Sequence, residues 1–178
     1  MARYLALLGS INVGGNRVTM GELREALERE DFEDVETVVA SGNILFSYDE
    51  RPSDGLAEML AWIVKDRFDI DTFAAVRSKD ELEAAIEGNP FVADGEENQV
   101  HTVFLDRPLD REAFERFAAG YTGPERIAPG EREFFVDFRE GVGNSKLTQA
   151  MARTKLFDFR STARNLRSLR RMLQKMGD

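Results

Sequence analysis

The alternation of apolar and polar positions changes period several times along the chain, and each change marks an element. Arg3–Leu8 is a nearly unbroken apolar run and predicts a buried strand. Thr19-Met-Gly-Glu22 has the capping-box pattern, and Met20, Leu23, Ala26 and Leu27 then share one face of the helix it opens. Val35–Ser41 and Ile44–Tyr48 are rich in β-branched and aromatic residues and flank Gly42-Asn43, which predicts a hairpin. Ser53 is placed to cap a second helix, in which Leu56, Met59, Leu60, Ile63 and Val64 recur at i, i+3, i+4, i+7 and i+8. Thr72–Arg77 predicts another strand, so the first third reads β-α-β-β-α-β.

A connecting helix follows. Ser78-Lys-Asp-Glu81 is a second capping box, Leu82, Ala85 and Ile86 face inward, and Gly88-Asn-Pro90 stops the helix. The order then recurs: a strand at Gln99–Asp106, a helix at Asp110–Ala119 ended by Gly120, and a hairpin of Glu125–Ala128 and Arg132–Phe138 around Pro129-Gly130. One helix begins near Ser145 and a last one runs from about Arg164 to Met176. The second half therefore reads β-α-β-β-α, with an extra helix where a closing strand would stand. The expected fold is α+β, two tandem ferredoxin-like (split βαβ) repeats packed as one compact unit with an extra C-terminal helix. Its expected divisions are 1–78, a connecting helix and linker at 79–98, and 99–178.

Composition narrows the chemistry. The 178 residues include no cysteine and one histidine, His101, which removes disulfides, thiolate metal sites, iron–sulfur clusters and cysteine nucleophiles. No metal and no cofactor are expected. The short apolar stretch at the start does not make a signal peptide, and no run approaches the roughly 20 residues of a membrane span; a cytoplasmic protein with no membrane partner is expected. The net charge of −9 is uneven, because residues 142–178 carry +7 and residues 1–141 carry −16. An acidic body with a basic tail fits either an anion-binding device or charge complementarity within the chain.

Three segments carry candidate chemistry. Glycines at 9, 14 and 15, with Asn12, Asn16 and Arg17, form a donor-rich loop ahead of a helix, suited to phosphate or carboxylate or else to a long turn. Its spacing is neither G-x-G-x-x-G nor a Walker loop, so no nucleotide class follows. In Gly141-Val-Gly-Asn-Ser-Lys-Leu-Thr148, Ser145 is positioned to cap a helix and Lys146 to reach an anion at its start. The last helix is amphipathic, with Leu166, Leu169, Met172, Leu173 and Met176 on one face and Arg164, Arg167, Arg171 and Lys175 opposite. Arg132–Phe138 only partly matches the aromatic strand of RNA-recognition motifs, and its alternating Phe residues suit sheet packing. His101, in a predicted strand without a nucleophile loop or an Asp partner, reads as structural.

Gly-Ser-Ile-Asn-Val-Gly-Gly at 9–15 and Val-Val-Ala-Ser-Gly-Asn-Ile-Leu-Phe-Ser at 38–47 resemble the signature of the bacterial domain of unknown function 1697. Asn89-Pro-Phe91, the segment 141–148 and Thr-Ala-Arg-Asn at 162–165 extend the likeness over nearly the whole chain. The resemblance implies two ferredoxin-like repeats and no particular activity. It also implies Arg-Gly before Ile-Asn-Val-Gly, where this chain has Gly9-Ser10, and an aromatic residue after Arg-Asn, where it has Leu166. The motif positions that remain, together with the loop donors, give the candidate ligand-binding set: Asn12, Gly14, Gly15, Asn16, Arg17, Ser41, Gly42, Asn43, Ser145, Lys146, Arg164 and Asn165. These point to a small anionic ligand in a polar cleft between loops. The alternatives are a nucleic-acid module using the basic helix, against which the acidic body argues, and a protein–protein adaptor. The sequence leaves the oligomeric state open.

Overall fold

The computed structural model describes residues 1–9, 18–39 and 42–177. The apolar run near the start is β1 (Ala2–Leu8), the centre of a four-stranded antiparallel sheet. Around it stand α1 (Met20–Glu28), β2 (Glu33–Thr37), β3 (Asn43–Tyr48), α2 (Ser53–Phe68) and β4 (Ala74–Ser78), with strand order β2-β3-β1-β4. Tyr4, Ala6 and Leu8 join Ile44, Phe46, Ala74 and Val76 in a core with Leu23 and Leu27 of α1 and Leu56, Leu60 and Ile63 of α2. The alternate residues Leu5, Leu7 and Leu45 are fully buried as well. A strand buried on both faces has no polar alternation, which is why β1 reads as a continuous apolar run.

Local rules set the ends of these elements. Thr19 and Glu22 form the reciprocal capping box, the Glu22 amide donating to Thr19 Oγ1 at 3.1 Å and the Thr19 amide to Glu22 Oε2 at 2.9 Å. Ser78 and Glu81 do the same for α3 (Lys79–Glu87). Ser53, expected to cap α2, is instead its first residue after Pro52; it is buried and its hydroxyl donates to Glu81 Oε1 at 3.0 Å. Gly9 is required by close approach, since a Cβ there would lie 2.5 Å from Cε1 of the Phe73 ring.

A second four-stranded antiparallel sheet contains β5 (Val100–Leu105), β6 (Arg126–Pro129), β7 (Glu133–Asp137) and β8 (Ser161–Asn165), in the order β6-β7-β5-β8. Between them in the chain lie α4 (Arg111–Gly120), a 3-10 turn at Val142–Asn144 and α5 (Leu147–Thr154), and α6 (Leu166–Lys175) follows β8. Val103, Leu105, Phe134, Val136 and Phe138 form the core under Phe114 and Phe117 of α4 and Leu147 and Met151 of α5.

One expectation is corrected here. A closing strand exists, β8, paired antiparallel with β5 from His101↔Asn165 to Leu105↔Ser161. Arg164 and Asn165 therefore belong to a strand and not to the last helix, which begins at Leu166. The chain divides into two compact units, Met1–Glu83 with Arg170–Asp178, and Ala84–Leu169, so the expected second half 99–178 is shared between them. Among the described residues, no helix is long and apolar enough to cross a membrane.

Candidate functional site

Strand periodicity in the second sheet builds an apolar-walled cavity. Residues two apart share a face, so His101 and Val103 of β5 stand beside Phe134 and Val136 of β7, Phe138 just after it, and Ser161 and Ala163 of β8. Across from them α5 contributes Leu147, Thr148, Met151 and Ala152, at i, i+1, i+4 and i+5 of its helical turn. Val142 and two aromatic rings, Phe157 and Phe159, complete the wall around a volume of about 430 Å³. Phe157 and Phe159 are fixed by ring contacts, at 5.8 Å to Phe117 and 6.0 Å to Phe134 respectively, and at 5.5 Å to each other. Only three lining side chains are polar: His101, Thr148 and Ser161. That ratio of apolar wall to a few polar groups is the usual make-up of a small-molecule pocket.

His101 has a defined proton. Its Nδ1 lies 3.0 Å from the carbonyl oxygen of Gln99, and a carbonyl can only accept, so Nδ1 carries the hydrogen. The Phe138 ring packs edge-on against the imidazole at 4.9 Å and 88°. Burial lowers the His101 pKa, against the smaller opposing effect of the Gln99 carbonyl, which keeps the ring neutral at physiological pH.

The start of α5 is held by a chain of hydrogen bonds. Tyr121 donates to Glu125 Oε2 at 2.5 Å, Ser145 donates to Glu125 Oε1, and Ser145 Oγ accepts from the Leu147 amide at 3.2 Å. Glu125 is buried; burial pushes its carboxyl up, but the Ser145 and Tyr121 hydroxyls together hold it below its ordinary value. Burial and then the Glu125 bond push the Tyr121 phenol up to about 12. Lys146 is exposed between Ser145 and Leu147, and its carbonyl accepts from the Ala150 amide at 2.9 Å.

The described members of the sequence-predicted set belong to β3 and the turn before it in one unit, and to the start of α5 and to β8 in the other. Asn12, Gly14, Gly15, Asn16, Arg17 and Ser41 lie outside the described residues. Gly42 takes φ +88°, a value suited to glycine, in the turn before β3, and its carbonyl accepts from the Leu8 amide at 2.8 Å. Asn43 is buried at the head of β3, opposite Leu7. Ser145 and Lys146 come together at the start of α5. Asn165 caps α6, its Oδ1 accepting from the Ser168 amide at 2.8 Å. Arg164 shares its face of β8 with Thr162, to whose hydroxyl it donates at 2.6 Å, while Ala163 on the other face lines the cavity. Burial lowers the Arg164 pKa.

Sequence reasoning missed one further cluster. Arg126 donates to both Asp94 oxygens at 2.9 and 3.1 Å and to Asp137 Oδ2 at 2.7 Å, and its guanidinium lies 4.7 Å from the centre of the Phe91 ring. Arg126, Asp94 and Asp137, with Arg139, Glu96 and Gln99, border a polar recess of about 230 Å³. The Arg126 pairs with Asp94 and Asp137 tie the 91–97 segment to the edge of the sheet. Among the described residues, no three His, Cys, Asp or Glu side chains gather as a metal site.

Fold and cavity together define an α+β protein of two four-stranded antiparallel sheets with a small-molecule-sized apolar cavity under one helix. The chain belongs to the family "Protein of unknown function (DUF1697)", whose sequence pattern matches residues 1–135. It is similar over its full length to a solved structure described as conserved bacterial protein SP0830 from Streptococcus pneumoniae. That likeness has 23% identity and a TM-score of 0.78, and covers 100% of this chain and 99% of the other. At that identity it speaks to the fold alone. No curated protein matches the chain.

Proposed function

We propose that the chain binds a small molecule that joins an apolar body to an anionic group. The body occupies the cavity beneath α5, and the anion lies over the start of that helix near Lys146. The observation that carries this reading is the cavity of about 430 Å³ whose wall includes Leu147 and Thr148, the two residues that follow Lys146. Beyond the Leu147 amide, which donates to Ser145 Oγ, the first-turn amides of α5 have no partner within the helix and favour negative charge. The ammonium of Lys146 adds a mobile cation to that field. The acidity of the chain as a whole does not oppose this, since residues 142–178 carry +7.

The test is a thermal-shift screen of carboxylates and phosphate esters with one- or two-ring or short-chain apolar bodies, against inorganic phosphate and neutral analogues. A ligand at 100 times its Kd adds about 2.7 kcal/mol to stability, and a shift of several degrees is expected. Lys146→Glu lowers affinity for the anionic ligand at least about tenfold and leaves the neutral analogue unaffected. Equal shifts from inorganic phosphate and from the amphipathic anions sink the reading, as does no shift from any of them. Binding of oligonucleotides at about 50 mM salt that vanishes by about 200 mM would favour the exposed Arg167, Arg171 and Lys175 of α6 as a nucleic-acid surface instead.

Each unit is a ferredoxin-like repeat, supported by the β-α-β-β-α-β order and by a strand order in which β6-β7-β5-β8 repeats β2-β3-β1-β4. Asn12, Gly14, Gly15, Asn16, Arg17 and Ser41 remain anion contacts on their chemistry, with Gly42 and Asn43 beside them in sequence; Arg17→Ala in the same screen tests them. A cytoplasmic location fits the cysteine-free composition, and cell fractionation checks it.

A further inference from the structure

The chemistry of the cavity wall says more about its occupant than size and charge do. His101 is the only titratable side chain in the lining. With Nδ1 donating to the Gln99 carbonyl, the other nitrogen, Nε2, carries a lone pair and no hydrogen. Among the described residues, no buried side-chain nitrogen or oxygen lacks a partner. Nε2, which has no hydrogen bond, is therefore open, and the face of β5 on which His101 stands opens into the cavity. Thr148 and Ser161 hydroxyls rotate to donate or accept and so do not discriminate. Nε2 can only accept. Phe138 packs edge-on against the imidazole, and Phe134, Phe157 and Phe159 supply further rings to the wall of the same cavity. A dry cavity of about 150 Å³ takes a single benzene ring, so about 430 Å³ accommodates two fused rings with substituents.

We infer, resting on the function proposed above, that the apolar body is an aromatic ring bearing a hydroxyl or N–H group that donates a hydrogen bond to Nε2 of His101. Selection works through the cost of a mismatch. An analogue methylated at that oxygen or nitrogen has no donor and places a methyl group against a lone pair that water had solvated. A site built to accept from a substrate O–H or N–H rejects the analogue lacking it far more strongly than it rejects a change of one methylene.

The experiment uses the full chain and two matched pairs, 4-hydroxyphenylacetate with 4-methoxyphenylacetate and indole-3-acetate with 1-methylindole-3-acetate, titrated by calorimetry at pH 7.5. Leaving an acceptor unsatisfied costs roughly 1–3 kcal/mol, so the donor member of a pair should bind about 10- to 100-fold more tightly. In His101→Phe the preference should fall to within about twofold. Because that variant is in a strand core, a second reading uses the native chain. His101 is the sole histidine, so its imidazole nitrogens give an unambiguous pair of 15N signals. The Nε2 signal should move on adding the donor probe and stay in place with its methylated twin.

Equal affinity within both pairs, or a bound donor probe that leaves the Nε2 signal unmoved, overturns this inference and leaves the cavity reading standing. Absence of binding by all four probes and by phenylacetate overturns both.

Discussion

Replacing Tyr121 with phenylalanine removes one oxygen from the chain of bonds that holds the start of α5. Below pH 10 the phenol is neutral, and its donation to Glu125 at 2.5 Å is a bond to a charged acceptor, worth about 1.5–3 kcal/mol. The Tyr121 pKa is pushed up to about 12 from an ordinary 10.0, by burial first and by the Glu125 bond second. A group whose pKa is raised on folding contributes fully below its unfolded value and loses that contribution as pH climbs to the folded value. Phenylalanine has no proton to lose. The variant should therefore be about 1.5–2.5 kcal/mol less stable at pH 8, and the deficit should shrink steadily between pH 10 and 12. Urea denaturation followed by far-ultraviolet circular dichroism at pH 8, 9, 10, 11 and 11.5 measures it. The single tryptophan, Trp62, lies in the unit built on Met1–Glu83, so its fluorescence follows that unit alongside the circular dichroism. A deficit below about 0.5 kcal/mol at pH 8, the range of an ordinary surface substitution, or one that stays constant to pH 11.5, refutes the account of Glu125 as the anchor of α5.

Three further outcomes follow from local geometry. Gly9→Ala puts a methyl 2.5 Å from the Phe73 ring and should cost about 1–3 kcal/mol by overpacking, read as a lowered midpoint in thermal denaturation. Thr19→Ala removes the oxygen that accepts from the Glu22 amide and should cost about 1 kcal/mol, with amides of the first turn of α1 exchanging faster with solvent. His101, with its pKa lowered below 6.5 by burial, favours the neutral ring in the folded chain. Its contribution is present above pH 6.5 and lost as pH falls through the lower folded value. His101→Phe should flatten stability against pH in that window, ahead of any loss from protonating Glu125; a slope unchanged by the substitution would contradict the assignment.

Much of the fold was legible because short-range rules dominate where it was read. Both capping boxes, at Thr19 and Ser78, involve residues three apart, and the helices they open are the ones observed. β8 was missed because Ser-Thr-Ala-Arg-Asn carries neither apolar alternation nor β-branched density; pairing with β5 makes it a strand. The helix that follows was drawn too early because its leucine and methionine periodicity is strong, whereas Asn165, its cap, resembles any other loop asparagine.

The site was less legible. Ser145 and Lys146 were found from their position ahead of a helix, but Glu125, the residue that fixes Ser145, lies 20 positions away. Arg126 reaches Asp94 across 32 positions and Asp137 across 11. No local pattern encodes such pairs. His101 was available in principle: in a strand, period two puts it on the face of Val103 and Leu105.

The grouping of Arg170–Asp178 with Met1–Glu83 has a consequence for synthesis. The ribosome makes the first 83 residues early, yet the segment that completes their unit, with its buried Met172 and Met176, follows only after the 86 residues from Ala84 to Leu169. At 5–20 residues per second that is a delay of about 4–17 s, and at its end the intervening unit has all of its own chain while the first still lacks Arg170–Asp178. The unit that begins first is thus the one closed last. Nascent chains stalled before Arg170 should show protease protection in Ala84–Leu169 ahead of the part that preceded it.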